Sequence, residues 1–324
     1  MDFLQSKLHG LSSKKHLAEL LGVDVKELKE VEKHFTASPF EELKNGKVRT
    51  FYNPHPRYKL VLKRLNNLLS QIIPPTYVLG GIKERNYAMN GSAHKENQFF
   101  MLLDIENFFP STRDSYIYHF FRIRLSMDKD LAKICTLLTT VSVQDQPSQR
   151  HLPQGFPTSP ILSYLGYYDM YNRINNLALS KGISFSCYYD DLTFSAPHFI
   201  PKSFKKQISS IVNEYNLTIN HRKTRLLKNR TGVRITGAIV KESSLSAPNQ
   251  LQKKLMGKFQ ALKELFERNP SETDQVIELC NSVQGCLSAI QTVEKGRRFS
   301  YMSSEVSRIR KAIKTSRNKK ASKV

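Results

Sequence analysis

The chain has 324 residues and sets 50 Lys and Arg against 28 Asp and Glu, a formal net charge of +22 at pH 7. Its 40% apolar and 10% aromatic content fits a globular protein with a sizeable core, and no apolar run is long enough to span a membrane. No signal sequence is legible, and Cys135, Cys187, Cys280 and Cys286 have no metal-ligand spacing, which points to a cytoplasmic protein with reduced thiols and a polyanionic partner.

Residues 1–35 predict two short helices. Ser12 or Ser13 can cap the first, SKKHLAELLG, which carries Leu17, Leu20 and Leu21 and stops at Gly22. Asp24 can cap the second, VKELKEVEKHF. The spacing from Ala18 to Gly22 suits a helix-turn-helix and equally any small helical hairpin. KVRTFYNPH, residues 47–55, alternates as a strand and turns at Asn53-Pro54, and RYKLVLKRLNNLLSQI reads as a helix. FFMLLDIENFF, Phe99 to Phe109, reads as a buried strand holding Asp104.

Residues 113–140 read as helical, and VQDQPSQRH as a polar connection. In the LPQGFPTSPILSYLGYYDMYNRINNLAL stretch, Thr158 or Ser159 before Pro160 marks a helix start. SFSCYYDDLTFSAP, Ser184 to Pro197, predicts two strands and a tight turn. SFKKQISSIVNEYNL is an amphipathic helix, VRITGAIV a strand, and the chain after Pro248 is helical to a basic tail. From Arg222 to Lys241 there are seven basic residues and no acid; from Lys295 to the end there are eleven and one acid, Glu305. Two such blocks far apart in sequence suit a surface that tracks phosphates.

Three acids sit among strand-forming apolar residues: Asp104, Asp190 and Asp191. A lone buried Asp can be a satisfied structural group, and an Asp pair in a turn can be turn chemistry. Together they would form a carboxylate cluster whose repulsion a divalent cation relieves. Hard oxygen ligands suit Mg²⁺, and two such ions about 4 Å apart serve phosphoryl transfer. A basic surface to hold a polyanion and acids to hold metals complement one another.

Tyr188-Tyr189-Asp190-Asp191 resembles the Y-x-D-D box of reverse transcriptases, and LLDIENFF resembles their first catalytic strand, with Phe109 five residues after Asp104. LPQGFPTSP, Leu152 to Pro160, resembles the segment beneath the incoming nucleotide, and NLTINHRKT, Asn216 to Thr224, the segment after the Y-x-D-D hairpin. Within that superfamily the chain resembles bacterial retron reverse transcriptases. NGSAH, Asn90 to His94, is similar to their N-A-x-x-H element with Gly91 for Ala, and ITG, Ile235 to Gly237, to their V-T-G element. RTFYNP, Arg49 to Pro54, resembles the early fingers strand, and VQGCLSAI, Val283 to Ile290, the thumb.

The resemblance implies an α+β right-hand polymerase fold: an N-terminal helical segment (1–40), fingers and an antiparallel palm sheet with helices (41–245), and a helical thumb with a basic tail (246–324). Asp104, Asp190 and Asp191 would be catalytic and, with Ile105, would hold two Mg²⁺ ions. Phe109 would be the steric gate against a ribose 2′-hydroxyl, its alternative being core packing beside Phe108. Gln154 and Gly155 would meet the nucleotide, Arg49 would clamp its triphosphate, and Lys223 would protonate pyrophosphate or simply join the basic patch. Asn90 and His94, as a scaffold near the RNA rather than catalysts, would serve RNA binding with Arg222, Arg225, Arg297, Arg298, Arg308 and Lys311.

The expected activity is RNA-directed DNA synthesis from dNTPs. The template is the chain's own structured noncoding RNA, the primer a guanosine 2′-hydroxyl, and the product branched RNA-linked DNA (msDNA). The implied setting is antiphage defence with a separate effector protein, a host RNase H to remove template, and no membrane. A group-II-intron-like or other phage-defence reverse transcriptase is the alternative system; such intron proteins continue past the thumb, whereas this chain stops soon after it. A non-catalytic helix-turn-helix or RNA-binding regulator is the alternative from another class.

Overall fold

Ser13 starts the first helix for the reason its position suggests: its Oγ accepts the His16 amide at 3.3 Å, satisfying a donor that the helix cannot. That helix, α1 (Lys14–Leu21), ends at Gly22, whose φ of 62° is left-handed. In a computed structural model, residues 3–44, 46–143, 146–268 and 273–321 are described. They divide into two compact units, Met1–Lys228 and Asn229–Val324.

The first unit continues with α2 (Val25–Lys29) and α3 (Val31–His34). The sequence suggests one helix here; the backbone breaks at Glu30, with φ −126° and ψ 52°. Strands β1 (Ala37–Lys44) and β2 (Lys47–Pro54) form an antiparallel ribbon, followed by α4 (Pro56–Leu69) and α5 (Tyr87–Ser92). Strand β3 (Phe99–Asp104) leads to α6 (Phe108–Ser111), α7 (Asp114–His119), a π-helical turn at Phe120–Arg124 and α8 (Lys129–Thr139).

The stretch read as a polar connection is instead a hairpin of β4 (Val141–Val143) and β5 (Gln146–His151). Arg150 ties it down, donating to the carbonyls of Leu137 and Thr140 at 3.3 and 2.7 Å and to Glu32 at 2.5 Å. Helices α9 (Ser159–Leu165) and α10 (Tyr168–Leu179) precede the hairpin β6 (Ser184–Tyr188) and β7 (Asp191–Ala196), then α11 (Lys202–Glu214) and β8 (Arg225–Lys228). The main sheet runs β6-β7-β3-β8, all antiparallel.

The N-terminal helices share the first unit's core. Leu8, Leu17, Leu21 and Leu28 are buried in one cluster with Leu62, Leu65 and Leu69 of α4 and Met101 and Leu103 of β3. Arg64 of α4 donates to the Leu21 carbonyl at 2.7 Å, closing the end of α1. The compact unit therefore runs unbroken past residue 40. The second unit begins at Asn229, ahead of the boundary expected at 245, because strands β9 (Val233–Ile235), β10 (Ala238–Val240) and β11 (Leu245–Ser246) pair with one another.

VRITGAIV is thus two strands, turned at Thr236, whose φ is 49°, and Gly237. Helices α12 (Asn249–Arg268), α13 (Thr273–Val293) and α14 (Ser300–Ala321) complete this unit. Glu294, just past α13, accepts the Ala247 amide at 2.7 Å and the Ser246 hydroxyl at 3.2 Å, joining strands to helices. The chain is a mixed α+β protein, an antiparallel sheet with helices followed by a helical unit.

Candidate active site

Asp104 ends β3 and pairs in register with Asp191, the first residue of β7. The β6–β7 hairpin closes at Tyr188↔Asp191, leaving only Tyr189 and Asp190 in the turn. The Ile105 amide donates to the Asp190 carbonyl at 3.0 Å and the Asn220 amide to the Asp104 carbonyl at 2.7 Å, so the ladder fixes all three acids at one end of the sheet. An apolar strand gives the first its position and a tight turn gives the other two theirs.

The turn needs unusual support. Tyr189 has φ 57°, a region that costs a non-glycine residue roughly 1–2 kcal/mol. The Tyr171 hydroxyl donates to the Tyr189 carbonyl at 3.2 Å. Gly80 lies so close beneath that an added Cβ would stand 2.6 Å from the Tyr189 nitrogen, and Gly81, at φ 72°, would meet the Tyr189 ring at 2.9 Å. Sequence reasoning missed Tyr171, Gly80, Gly81 and Asn220; the Gly-Gly pair was the one available signal, as a turn.

Burial is the largest cause raising the proton affinity of both turn acids. Asp191 is pushed up to about 7, by burial first and then by the charges of Asp190 and Asp104. Asp190 is raised by burial and by Asp104. Lys223 and Arg225 oppose the shift of Asp191, and Lys223 and Arg49 that of Asp190. Lys223 places its ammonium 2.5 Å from Asp104 Oδ1. Among the described residues no group of three His, Cys, Asp or Glu side chains forms a ready-made metal cage. The donor set still fits a hard cation: oxygen only, mutually repelling, and already drawing an ammonium to Asp104.

The remaining expected residues divide cleanly. Phe109 is partly buried, its ring 6.3 Å from that of Tyr189 and 5.8 Å from Phe108. Gly155 has φ 109°, and a Cβ there would lie 2.5 Å from the Tyr52 carbonyl; the Gln154 carbonyl accepts the Tyr52 amide at 2.8 Å. The 154–155 loop is therefore laid against β2 at Tyr52, three residues beyond Arg49. Arg222 and Arg225 are exposed on either side of Lys223.

Asn90 and His94 correct the expectation of RNA contact, since both have 0% exposure. His94 sits between the hydroxyls of Ser195 at 2.7 Å and Ser186 at 2.6 Å, and Ser186 donates to Asn90 Oδ1. Burial depresses the His94 pKa to about 3, so the ring is neutral. The motif knits α5 and its following turn to β6 and β7.

In the second unit Arg298 and Lys311 are exposed. Arg297 pairs with Glu294 at 2.6 Å and Arg308 with Glu305 at 2.9 Å, which reduces their net charge toward a polyanion. Among the described residues no helix is long and apolar enough to cross a membrane.

Residues 41–240 match the family described as Reverse transcriptase (RNA-dependent DNA polymerase). The chain is similar to the Retron Se72 reverse transcriptase of Salmonella heidelberg, 28% identical over 64% of this chain and 55% of that one. It is also similar to the Retron Ec86 reverse transcriptase of Escherichia coli, 26% identical over 76% and 72%. A telomerase from Candida tropicalis, solved with a fragment of telomeric RNA, superposes with TM-score 0.47 at 11% identity, over 83% of this chain and 57% of that one. The chain thus spans just over half the length of the Se72 relative.

Proposed function

The chain belongs to the reverse transcriptase (RNA-dependent DNA polymerase) family, and from that premise we propose that it is the RNA-directed DNA polymerase of a retron. It copies part of a dedicated noncoding RNA into DNA, starting from a guanosine 2′-hydroxyl, to give branched RNA-linked msDNA. Its setting is antiphage defence beside a separate effector protein, with a host RNase H removing template. The similarity to retron enzymes supports this reading. The observation that carries the chemistry is the in-register pairing of Asp104 with Asp191, with Asp190 in the two-residue turn between strands.

Asp104, Asp190 and Asp191, with Ile105 beside them, are the residues that would hold two Mg²⁺ ions. When bound, such ions activate a primer hydroxyl and neutralise charge on the triphosphate and departing pyrophosphate. The protein's own part is positioning. The β3–β7 ladder fixes the acids, and Phe109 lies against the catalytic turn where a bulky ring would crowd a ribose 2′-hydroxyl. Arg49 would present a guanidinium to the triphosphate, Gln154 and Gly155 would offer a loop that approaches closely, and Lys223 would add positive charge beside Asp104 or donate a proton to pyrophosphate. Arg222, Arg225, Arg298 and Lys311 offer charge to the template–primer backbone, as Arg297 and Arg308 do more weakly. Contact with phosphates and 2′-hydroxyls suits an A-like duplex.

Primer extension with Mg²⁺, dNTPs and an RNA template tests the reading. Wild type should make DNA, and Asp190→Asn with Asp191→Asn should abolish synthesis while leaving RNA affinity near wild type. A wild-type protein that binds RNA and makes no DNA would return the chain to a binding role. Sequencing of co-purified nucleic acid tests the retron assignment, with DNA branched from one small RNA as the expected result.

A further inference from the structure

Residues 70–86, between α4 and α5, belong to no helix or strand, yet they press on the turn that carries Asp190. Val78 makes a single parallel bridge to Cys187 of β6, the strand at the edge of the main sheet. The Leu79 amide donates to the Cys187 carbonyl at 2.9 Å, and the Cys187 amide to the Tyr77 carbonyl at 2.8 Å. Gly80 and Gly81 follow at once and pack against Tyr189. Gly81 also faces α9, where an added Cβ would stand 2.7 Å from the Pro160 Cβ. The segment is thus wedged between the Tyr189–Asp190 turn and the start of α9.

Two contacts hold this irregular backbone, and they differ in reach. The Tyr77 hydroxyl donates to Asn172 Oδ1 at 2.5 Å and ties one residue to α10. Arg85 gathers three: its guanidinium donates to the carbonyls of Val78 at 2.6 Å and Pro74 at 2.8 Å, and to that of Pro75. Pro74 and Pro75 have no amide to give, so a ladder cannot order them and a donor from outside must. Among the described residues Arg85 forms no ion pair, although it is half-buried. A cation drawn out of water without a carboxylate is costly, so its partners are the three carbonyls themselves. The planar fork of a guanidinium meets several acceptors in fixed directions, which an ammonium on a flexible stem does not.

We propose that Arg85 is a positioning residue for DNA synthesis, acting through backbone rather than on substrate. By gathering the carbonyls of Pro74, Pro75 and Val78 it fixes residues 77–79 against Cys187, and so the Gly80-Gly81 shelf beneath Tyr189. The shelf in turn sets where Asp190 stands. This role deepens the polymerase reading and rests on it, because the place of Asp190 matters to turnover only there.

The test compares the full chain with Arg85→Gln and Arg85→Lys by amide hydrogen exchange and by primer extension with Mg²⁺, dNTPs and an RNA template. In both variants the amides of Leu79 and Cys187 should exchange about tenfold faster, while those of the β3–β7 ladder keep their protection. Arg85→Gln should lower kcat about tenfold with KM for dNTP within about twofold, the split expected of a displaced acid rather than a lost substrate contact. Arg85→Lys keeps the charge without the fork and should recover less than about half of the wild-type kcat. Should Arg85→Gln fail to fold, Arg85→Lys carries both readings. Unchanged exchange at Leu79 and Cys187 overturns the clamp, and so does an equal loss of protection across the whole sheet, which would make Arg85 a general part of the fold. Faster local exchange with kcat unaltered overturns its hold on Asp190. A wild type that makes no DNA removes the polymerase reading and with it the role in synthesis, while the exchange data still decide whether Arg85 clamps the segment, so the two fail separately.

Discussion

Asp104 and Asp191 face one another directly across the β3–β7 ladder, and the strands hold these carboxylates together at a cost in repulsion. Asp191 is raised to about 7, from an ordinary value of about 4. The folded state therefore binds a proton that the unfolded state has already released between those values. Stability from this group falls as pH rises from about 4 to about 7, at no more than ~1.4 kcal/mol per pH unit, and is level above. Thermal unfolding in chelator should show that decline, Asp191→Asn should flatten it, and Mg²⁺ should stabilise wild type more at pH 7.5 than at pH 5. Identical pH slopes in wild type and variant would detach Asp191 from the cluster.

His94 works in the opposite direction. Its folded pKa of about 3 lies below the unfolded value, so the unfolded chain binds the extra proton as pH falls. Stability from this group is complete above about 6.5 and is lost as pH drops toward 3, partly cancelling the Asp191 slope in the window they share. His94→Gln should flatten this acid limb. It should also lower stability by about 2 kcal/mol, because the Ser186 and Ser195 hydroxyls lose a buried partner. RNA affinity of the folded fraction should be unchanged; a specific loss of affinity would bring the residue back to the RNA.

What the sequence disclosed and what it hid follow from local chemistry. Asp104, Asp190 and Asp191 were legible because acids inside apolar strands are conspicuous, and Ser13 and Gly22 because caps act within a few residues. The β4–β5 hairpin was hidden because Gln146, Ser148, Gln149 and Arg150 carry no alternation; long-range bonds from Arg150 decide it. β1 was hidden by Pro39 and two glutamates, which weaken a strand signal. In 233–240 the run of β-formers concealed a turn at Thr236. Asn90 and His94 gave a motif but not a burial, since only the Ser186 and Ser195 hydroxyls across the sheet reveal that they face inward.

Gly155 is where backbone freedom and close approach coincide. At φ 109° any side chain is strained, and a Cβ would lie 2.5 Å from the Tyr52 carbonyl, against backbone that cannot step aside. Gly155→Ala should separate the 154–155 loop from β2, break the Tyr52 to Gln154 hydrogen bond and lower stability by about 2 kcal/mol, a fall of roughly 4–8 °C in Tm. The same change should raise KM for dNTP more than it lowers kcat. An unaltered KM would show that the loop does not touch the nucleotide.

Tyr171 is the most specific test of how the Tyr189–Asp190 turn is held. Its side chain is 1% exposed, and its hydroxyl donates to the carbonyl of Tyr189, the residue held at positive φ. Tyr171→Phe keeps the ring and removes only that donor, so the core should stay packed and the loss should be about 1 kcal/mol, or roughly 2–4 °C in Tm. Relaxation of Tyr189 would shift Asp190, its neighbour in a two-residue turn; if Asp190 holds the proposed metal, even a small misplacement lowers turnover steeply. DNA synthesis should therefore fall severalfold in kcat with KM for dNTP within about twofold, because Gln154, Gly155 and Phe109 are untouched. A variant with normal kcat would leave Gly80 and Gly81 as the turn's main support, since their close packing against Tyr189 survives the substitution.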